Sequence, residues 1–411
     1  MKFFYADSQD LVDPNFNFEF ESRDPSRLRQ RDDHYAHELF STPCYDGLLV
    51  SKGIVDGIGV GSRYTLAQRH RLYRLGVHEF FRARHLPVMG DCGAFTYINE
   101  PTPPFTVDEV LRFYVDCDFD MAISVDHVIL SYQPQWDDEG VPRDVQYRQD
   151  VTLELASQFL DRHRRDKLRF TPLGAAQGWS PSSYAHAVDA LQQMGYSYIA
   201  VGGMVPLKTT AIIACLEAIS AVRKPTTKLH LLGVTRCEHV NAFARYGVAS
   251  FDSTSPLRQA FKDDKDNYYA PTGAYTAIRI PQIEANAKLM KRIRSGEVSQ
   301  ERARKLEREC LAAMKGYARR SVSLDDTLAL LLEYERVYDG KRSHEAAYRK
   351  TLTDRPWEDC DCDVCRALGY HVILFRGAER NRRRGFHNLW VFYRRVHQEL
   401  ANDLRLVGSA S

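Results

Sequence analysis

The chain lacks long apolar runs and has almost no excess of charge of either sign. None of its apolar stretches reaches the length needed to cross a bilayer, so we expect no membrane-spanning segment. Asp7 interrupts the first apolar segment before it reaches the length of a signal-peptide core, and we therefore expect a cytoplasmic protein. Because 56 Lys and Arg residues nearly balance 54 Asp and Glu residues, any nucleic-acid surface requires local clustering of basic side chains.

A G-x-G-x-x-G phosphate-binding motif after the first predicted strand is also missing, which disfavours an open, doubly wound sheet. Instead, β-rich runs alternate with amphipathic helical segments, the pattern of repeated βα units. Eight such runs favour an α/β fold, a closed (β/α)8 TIM barrel. The candidate strands are 47–50, 87–89, 121–125, 168–173, 198–201, 229–234, 249–251 and 275–278.

The same alternation predicts the domain organisation. Helix starts support it, since Thr106 with Glu109 forms a capping-box pattern and Ser180 precedes a proline at the first helical position. After residue 282 the strand pattern stops, residues 285–320 form a basic helical stretch, and a second helix is expected between Ser323 and Gly340. We predict an N-terminal extension at 1–45, the barrel at 46–282, a helical insertion at 283–355, and a zinc-binding segment with a C-terminal helix at 356–411.

Six of the nine cysteines are scattered singly and are expected to be reduced thiols, but the other three are clustered. Cys360, Cys362 and Cys365 precede His387 within one short segment. Three thiolates and an imidazole suit tetrahedral Zn²⁺, and four protein ligands leave no open position, so we predict a structural metal. His371 is an alternative fourth ligand.

Polar residues follow several of the candidate strands. In a TIM barrel the C-terminal ends of the strands form the rim on which active sites are built. A single Asp at a strand end is more often a helix cap than a catalyst, but several in the same register favour an active site. These residues are Asp91, Asp126, Gln177, Gly202, Gly203 and Asp252.

Five motifs resemble those of the tRNA-guanine transglycosylase superfamily and occur in its order. Gly90-Asp91-Cys92-Gly93-Ala94-Phe95 resembles its Asp-Ser-Gly-Gly-aromatic motif, and Gly174-Ala175-Ala176-Gln177-Gly178 resembles its Gly-x-x-Gln-Gly. Gly202-Gly203 resembles its glycine pair, and Phe251-Asp252-Ser253-Thr254-Ser255-Pro256 its Phe-Asp-x-x-x-Pro nucleophile motif. The zinc cluster with His387-Asn388-Leu389 is the fifth match.

The resemblance implies a base-exchange enzyme, a pentosyltransferase, that replaces guanine in a nucleic acid with a 7-deazaguanine. Asp252 would be the nucleophile on C1′ of the target nucleoside, and Asp91 the general acid/base. This division of labour is reasonable, because breaking an N-glycosidic bond needs a partner for the oxocarbenium-like carbon and a proton for the departing base. Displacement through a covalent intermediate would retain the configuration of the sugar.

The resemblance also implies how the base is bound. Asp126 would bind the exocyclic amine and N1–H edge, and Gln177 and the backbone N–H of Gly203, in the Gly202-Gly203 pair, would bind the carbonyl. Phe95 would cover the ring face, as expected for the recognition of an extruded base.

Departures from the family bear on the substrate. Bacterial tRNA enzymes carry a glutamate where this chain has Lys208, and a glutamate suits a cationic aminomethyl base. We therefore expect the neutral nitrile-bearing base, preQ0. The Asp-Cys-Gly-Ala-Phe variant, the helical insertion and the absence of an RNA-binding domain after the zinc segment look more like the branch that installs 7-deazaguanines in DNA. DNA is the predicted polymer, and tRNA and a non-catalytic nucleic-acid-binding paralogue are the alternatives.

Two further expectations concern partners. Enzymes of the DNA branch are associated with an ATP-hydrolysing partner, so the resemblance implies such a protein here. A cluster of arginines lies between the zinc cysteines and His387, and we predict that it contacts the phosphate backbone, with a solvated basic loop as the alternative. The cluster consists of Arg376, Arg380, Arg382, Arg383 and Arg384.

Overall fold

The computed structural model describes residues 1–57, 63–262 and 264–408 and divides into two compact units. The first unit comprises Met1–Gln9, Tyr45–Thr254 and the chain from Val396 onward. The second comprises Asp10–Cys44 and Ser255–Arg395. Among the described residues, no helix is both long enough and apolar enough to span a membrane.

The first unit is a closed barrel of eight parallel strands, which confirms the predicted TIM-barrel fold. Each strand pairs with the next along the chain, and the eighth pairs with the first. The strands are β1 (Lys2–Ala6), β2 (Gly47–Ser51), β3 (Val88–Asp91), β4 (Met121–Ile123), β5 (Thr171–Ala176), β6 (Tyr198–Val201), β7 (Lys228–Leu231) and β8 (Val248–Ser253).

Helices follow the strands of the barrel. They are α1 (Lys52–Asp56), α2 (Leu66–Phe80), α3 (Val107–Asp116), α4 (Trp136–Glu139), α5 (Arg143–Arg165), α6 (Pro181–Met194), α7 (Thr209–Val222) and α8 (Val240–Arg245). The predicted caps of two of them are confirmed, because Thr106 and Glu109 form a reciprocal capping box on α3, and Ser180 caps α6 ahead of Pro181.

Alternate residues of the strands fill the barrel with apolar side chains. Because side chains point to opposite faces every second residue, one set from each strand meets in the interior. This buried cluster consists of Phe4, Leu49, Met89, Ile123, Leu173, Ala175 and Ala200. Because the interior is packed with side chains, a substrate site is expected at the rim of the barrel.

The strand that closes the barrel is not the one predicted. Residues 275–278 were expected to be the eighth strand, but they divide between two small sheets of the second unit. The closing strand is β1, which lies within the predicted N-terminal extension and pairs with both β2 and β8. Residues 2–6 are almost entirely apolar or aromatic, and this composition fits a strand that is covered on both faces.

The second unit is mainly helical. Its helices are α9 (Ser255–Lys262), α10 (Ala287–Arg294), α11 (Gln300–Ala318), α12 (Leu324–Tyr338), α13 (Glu345–Asp354), α14 (Pro356–Asp359) and α15 (Asp363–Leu368), and α16 (Gly377–Gly408) begins in it. Two short sheets join β9 (Tyr268–Tyr269) to β10 (Ala274–Tyr275), and β11 (Ile278–Arg279) to β12 (Leu374–Phe375).

The helical insertion contains four helices, α10 to α13, where the sequence pattern indicated two. The basic stretch 285–320 is two helices, α10 and α11, because Gly296 adopts a left-handed φ of 78° and Ser299 caps a new helix. The predicted cap of α12 by Ser323 is confirmed, and Gly340, with a φ of 67°, follows the end of that helix.

Candidate active site

The polar residues predicted from strand ends lie at the C-terminal rim of the barrel. Asp91 ends β3, Asp126 follows β4, Gln177 follows β5, Gly202 and Gly203 follow β6, and Asp252 lies near the end of β8. The side-chain ligand atoms of Asp91, Cys92 and Asp126 all lie within 4.8 Å of one another. Asp252 is near enough for its charge to raise the pKa of Asp91. The fold therefore brings together residues separated by up to 161 positions (252 − 91).

Asp91 is tuned to exchange a proton near neutral pH. The pKa of its carboxyl group is raised to about 7, mainly by burial and in addition by the negative charges of Asp126 and Asp252. The backbone N–H of Gly93 donates a hydrogen bond to Oδ2 over 3.1 Å and opposes the shift in part. A carboxyl group with such a pKa can act either as an acid or as a base at pH 7.

Asp126 is fully buried and accepts hydrogen bonds on both oxygens. The Cys92 thiol donates to Oδ1 over 2.9 Å, and the Gln177 side-chain amide donates to Oδ2 over 2.5 Å. Burial raises the pKa of Asp126, and these two donors oppose that shift. The Tyr97 hydroxyl donates to the backbone carbonyl of Asp126 over 3.0 Å, which fixes the loop after β4.

The glycine pair packs directly against Gln177. A Cβ atom at Gly202 would collide with the Gln177 amide, and Gly203 has a φ of 73°, which disfavours any side chain. The Gln177 Oε1 accepts the backbone N–H of Ile129 over 3.2 Å, and Tyr184 donates to the Gly202 carbonyl over 2.8 Å. The pair is thus needed for the close approach of the backbone after β6 to the Gln177 side chain.

Asp252 is held by one donor from β7 and one from the turn that follows β7. Its Oδ1 accepts the backbone N–H of Gly233 over 2.9 Å, and the His230 Nε2 lies 3.3 Å from the same oxygen. Gly233 has a φ of 71°, a conformation that turns the chain after β7. N–H donors that face a carboxylate oxygen stabilise its negative charge.

Two predicted substrate-contacting positions lie at the surface. Phe95, in a short 3₁₀ helix (Ala94–Tyr97), leaves 51% of its surface exposed. Lys208 is exposed at the N-cap of α7. An exposed aromatic ring is available for stacking, and the base-covering role of Phe95 stays a prediction.

The Cys₃His cluster of the second unit has the geometry of a metal site. The thiols of Cys360, Cys362 and Cys365 lie 3.6, 3.5 and 3.4 Å from Nδ1 of His387. Tetrahedral zinc, with bonds of about 2.3 Å to sulfur and about 2.0 Å to nitrogen, would place these atoms about 3.5 Å apart. The four residues can therefore hold a metal ion, whereas the alternative ligand His371 is not part of this cluster.

Neighbouring groups orient the histidine of this cluster. The Nε2–H of His387 donates to the backbone carbonyl of Tyr269 over 2.8 Å, so the lone pair of Nδ1 is directed towards the thiols. The Tyr268 ring stacks on the imidazole with a centroid separation of 4.1 Å. The backbone N–H of Cys365 donates to the Cys362 sulfur over 3.3 Å. Such outer contacts are typical of structural metal sites.

The arginine cluster is buried, and its prediction as a phosphate-contacting surface is wrong for four of the five side chains. Arg376, Arg380, Arg383 and Arg384 are at most 6% exposed, and Arg382 is partly buried. Two of them bind the carboxylate of Glu21, and its pKa, which burial alone would raise, is lowered to about 2 by hydrogen bonds from Arg376 and Gln282. A guanidinium group committed to buried partners cannot also bind a phosphate.

Internal partners account for the other members of the cluster as well. Arg383 bonds to Glu379 over 2.8 Å, and Arg384 donates to the carbonyl oxygens of Ala260 and Leu374. Arg382 donates to the carbonyl oxygen of Leu11 over 3.3 Å. The arginines therefore stabilise the second unit from within.

Sequence reasoning missed two residues of the active site. Cys92 was noted only as a variant of the family motif, yet its thiol binds Asp126. His230 was treated as an ordinary residue of β7, yet it is completely buried beside Asp252. An imidazole between two leucines of an apolar strand was the available signal, because buried ionisable groups need a specific partner.

A closed parallel barrel with three carboxylates at its C-terminal rim, one of them with a pKa near neutrality, has the arrangement typical of TIM-barrel enzymes that use acid–base chemistry. No family model matches the chain. A DNA-guanine transglycosylase from Salmonella montevideo is 49% identical over 409 residues, which cover 98% of each chain. The chain therefore belongs to the DNA-guanine transglycosylase family, and it is a transglycosylase. This result confirms the resemblance to the guanine transglycosylase superfamily and to its DNA-modifying branch.

Proposed function

We propose that this enzyme replaces guanine in DNA with the 7-deazaguanine preQ0 through a covalent aspartyl-glycosyl intermediate. The observation that carries the proposal is the pair of unlike carboxylates at one rim. Asp91 has a pKa raised to about 7, and Asp252 accepts a backbone hydrogen bond and lies near enough to contribute to that shift. Two carboxyl groups in different environments can divide the roles of proton donor and nucleophile. The similarity to a DNA-guanine transglycosylase supports guanine and DNA as substrates.

In the first half-reaction, a carboxylate oxygen of Asp252 attacks C1′ of the target deoxynucleoside. The C1′–N9 bond breaks, its electron pair goes to guanine, and protonated Asp91 supplies the proton that neutralises the departing base. The products are free guanine, an ester between Asp252 and C1′, and an ionised Asp91. The pKa of about 7 allows Asp91 to hold this proton at neutral pH.

In the second half-reaction, Asp91 accepts the N9–H proton of the incoming base. The base attacks C1′ from the face that guanine left, and the bond between C1′ and the Asp252 oxygen breaks with its electron pair on the carboxylate. Two inversions retain the configuration of the sugar. Both carboxyl groups return to their starting protonation states, so the cycle balances.

Recognition of the base is assigned to the buried pair of Asp126 and Gln177. A carboxylate suits the exocyclic amine and N1–H of guanine, and the Gln177 amide with the Gly203 N–H suits the carbonyl. The 2.5 Å bond between the two side chains holds them ready at the ends of β4 and β5. Phe95 supplies a ring face for stacking.

The choice of preQ0 rests on charge. Bacterial tRNA enzymes carry a glutamate at the position of Lys208, and that glutamate suits a base with a cationic aminomethyl group. In this chain Lys208 is exposed at the N-cap of α7. A cationic side chain at this position disfavours an ammonium group on the base and tolerates a neutral nitrile. The predicted ATP-hydrolysing partner stays a prediction.

The Cys360–Cys362–Cys365–His387 cluster is proposed to bind structural Zn²⁺. Its sulfur-to-nitrogen distances of 3.4–3.6 Å fit tetrahedral coordination, and the His387 Nδ1 is directed at the thiols. The four protein ligands complete the coordination of zinc, so the metal would fix the fold of this segment and take no part in the exchange.

Base exchange with labelled substrates tests the proposal. Purified protein is incubated with labelled preQ0 or labelled guanine and either duplex DNA or tRNA, and the label in the polymer is counted. We expect incorporation into DNA and release of guanine in equal amounts. Incorporation into tRNA alone would overturn the choice of polymer, and use of guanine but not preQ0 would overturn the choice of base.

A further inference from the structure

A chain of hydrogen-bonding side chains runs through the barrel interior and ends at Asp252. The Tyr198 hydroxyl lies 2.6 Å from the Ser250 Oγ, and the Ser250 Oγ lies 2.6 Å from Nδ1 of His230. The His230 Nε2 then lies 3.3 Å from Oδ1 of Asp252. His230 and Ser250 are completely buried, so within the described structure this imidazole is oriented by these neighbours and by the edge-on ring of Phe4.

The direction of each hydrogen bond follows from what each group can donate. An ionised carboxylate only accepts, so the proton of a neutral His230 must be on Nε2, facing Asp252. Nδ1 is then an acceptor and receives the Ser250 O–H, which leaves the Ser250 oxygen to accept the Tyr198 O–H. Burial raises the pKa of Tyr198, which keeps its phenol protonated and able to donate. Each group thus donates once, and the tautomer of His230 is fixed.

Both of these donors meet the same oxygen of the nucleophile. The backbone N–H of Gly233 and the imidazole N–H of His230 are directed at Oδ1 of Asp252, at 2.9 and 3.3 Å. A carboxylate held through one oxygen presents the other for attack. His230 lies in β7 and Gly233 in the turn that follows it, so two separate parts of the chain hold Oδ1 and limit rotation of the carboxylate group.

We propose that His230 is a positioning residue that holds Oδ1 of Asp252, so that Oδ2 attacks C1′ of the nucleoside. This inference rests on the proposed function, because it needs Asp252 to be the nucleophile. Ser250 and Tyr198 act through His230 by fixing its ring and its tautomer, and none of the three touches the substrate.

The imidazole affects the two half-reactions unequally. When Asp252 becomes an ester, its Oδ1 loses negative charge and the hydrogen bond from His230 weakens. When the ester breaks in the second half-reaction, charge returns to the carboxylate and the hydrogen bond regains its strength, because bonds to charged acceptors are stronger. The interaction therefore favours expulsion of the carboxylate, and its loss should prolong the life of the intermediate.

The test is a set of variants measured in two assays. His230→Phe removes the donor and keeps a ring, whereas His230→Gln retains a donor for Asp252 and an acceptor for Ser250. Ser250→Ala releases the imidazole without altering it. Tyr246→Phe serves as the matched control, because it removes an exposed hydroxyl that bonds to Glu217 outside the site.

Steady-state exchange and adduct lifetime are the two measurements. We expect His230→Phe to lower kcat by about 10²-fold with the KM for DNA changed less than about twofold, Ser250→Ala to lower kcat by about tenfold, and Tyr246→Phe to behave as the parent protein. The adduct formed without incoming base should be consumed more slowly in His230→Phe when preQ0 is added. His230→Gln should recover at least part of the loss.

The outcomes separate this inference from the function on which it rests. If the parent protein forms no adduct, the proposed function fails. If the parent protein forms the adduct and His230→Phe exchanges at the parent rate, or loses activity only through a higher KM, the positioning role is refuted. If His230→Phe does not fold, Ser250→Ala and His230→Gln are compared with the parent protein instead. Exchange by Ser250→Ala at the parent rate, or a loss seen only as a higher KM, would then refute the positioning role.

Discussion

The side-chain amide of Gln177 donates a 2.5 Å hydrogen bond to Oδ2 of Asp126, and both residues are almost completely buried. With the Cys92 thiol on Oδ1, the carboxylate has a donor on each oxygen. The two residues proposed to bind the edge of the base therefore form one preorganised unit before any substrate arrives. The rate and the stability of the protein should both depend on this bond.

Gln177→Ala should weaken both substrate binding and folding. The change leaves the buried Asp126 without one donor and the Ile129 N–H without its acceptor, each at a cost of about 1–3 kcal/mol. We expect a lower melting temperature and a higher KM for the incoming base. Thermal unfolding and exchange kinetics measure the two effects, with Gln158→Ala, at an exposed position, as the control. An unchanged KM for the incoming base would show that Gln177 does not contribute to base binding.

The pH dependence of guanine release should follow Asp91. Because its pKa is raised to about 7, the fraction that can donate a proton falls above that pH. We expect the single-turnover rate of guanine release to fall about tenfold per pH unit above pH 7. Asp91→Asn should abolish this decrease of the rate above pH 7, together with most of the activity. A flat rate between pH 6 and 9 would exclude Asp91 as the proton donor.

The raised pKa of Asp91 should also make the free energy of unfolding depend on pH. Burial raises the pKa of Asp91 from an ordinary value of about 3.8 to about 7 in the fold, so the folded state binds the proton more tightly. The protonated carboxyl favours folding below the unfolded pKa, and this contribution is lost as pH rises from about 4 to about 7. Asp91→Asn should therefore be more stable than the parent at pH 8, by on the order of a few kcal/mol. Denaturant unfolding at pH 4.5 and pH 8 measures the difference, which should shrink to about 1 kcal/mol at the lower pH.

Cys362→Ser should release the proposed zinc ion and destabilise the second unit. Binding energy at a structural site is also folding energy, so metal content and melting temperature should fall together. Cys237→Ser, outside the cluster, should retain one zinc per chain. Metal analysis and thermal unfolding provide the measurements. A Cys362→Ser variant with unchanged metal content would show that the site is misassigned.

Arg384→Ala should act on stability and leave the salt dependence of DNA binding unchanged. The guanidinium is fully buried and donates to backbone carbonyl oxygens, so its removal leaves buried acceptors without a partner. We expect a loss of about 2–4 kcal/mol in the free energy of unfolding. Arg308→Ala, on an exposed face of α11, should unfold like the parent. A shallower slope of DNA affinity against salt in Arg384→Ala would restore the phosphate-contact hypothesis.

The alternation of strands and helices was enough to predict the barrel and the rim that carries Asp91, Asp126, Gln177 and Asp252. Local patterns repeat along the chain, and a closed barrel places all strand ends on one side. The identity of the closing strand was not predictable in the same way. Residues 2–6 precede a long segment of the second unit, and only pairing with β8, far along the chain, makes them a barrel strand.

The role of the arginines escaped sequence reasoning for a related reason. A run of basic residues has the same appearance in a sequence whether solvent or carboxylates surround it. The partners of Arg376 and Arg380 include Glu21, more than 350 positions away, and no local pattern links them. His230 was similarly hidden, because its partners become apparent only when β6, β7 and β8 are side by side.

The covalent step is tested most directly by mass spectrometry of the enzyme after incubation with a short guanine-containing DNA duplex and no incoming base. We predict that the peptide containing Asp252 carries the mass of the DNA sugar-phosphate chain from which guanine has left, that the adduct disappears when preQ0 is added, and that Asp252→Asn forms none. An adduct at another residue, or full exchange by Asp252→Asn, would contradict the assignment of Asp252 as the nucleophile.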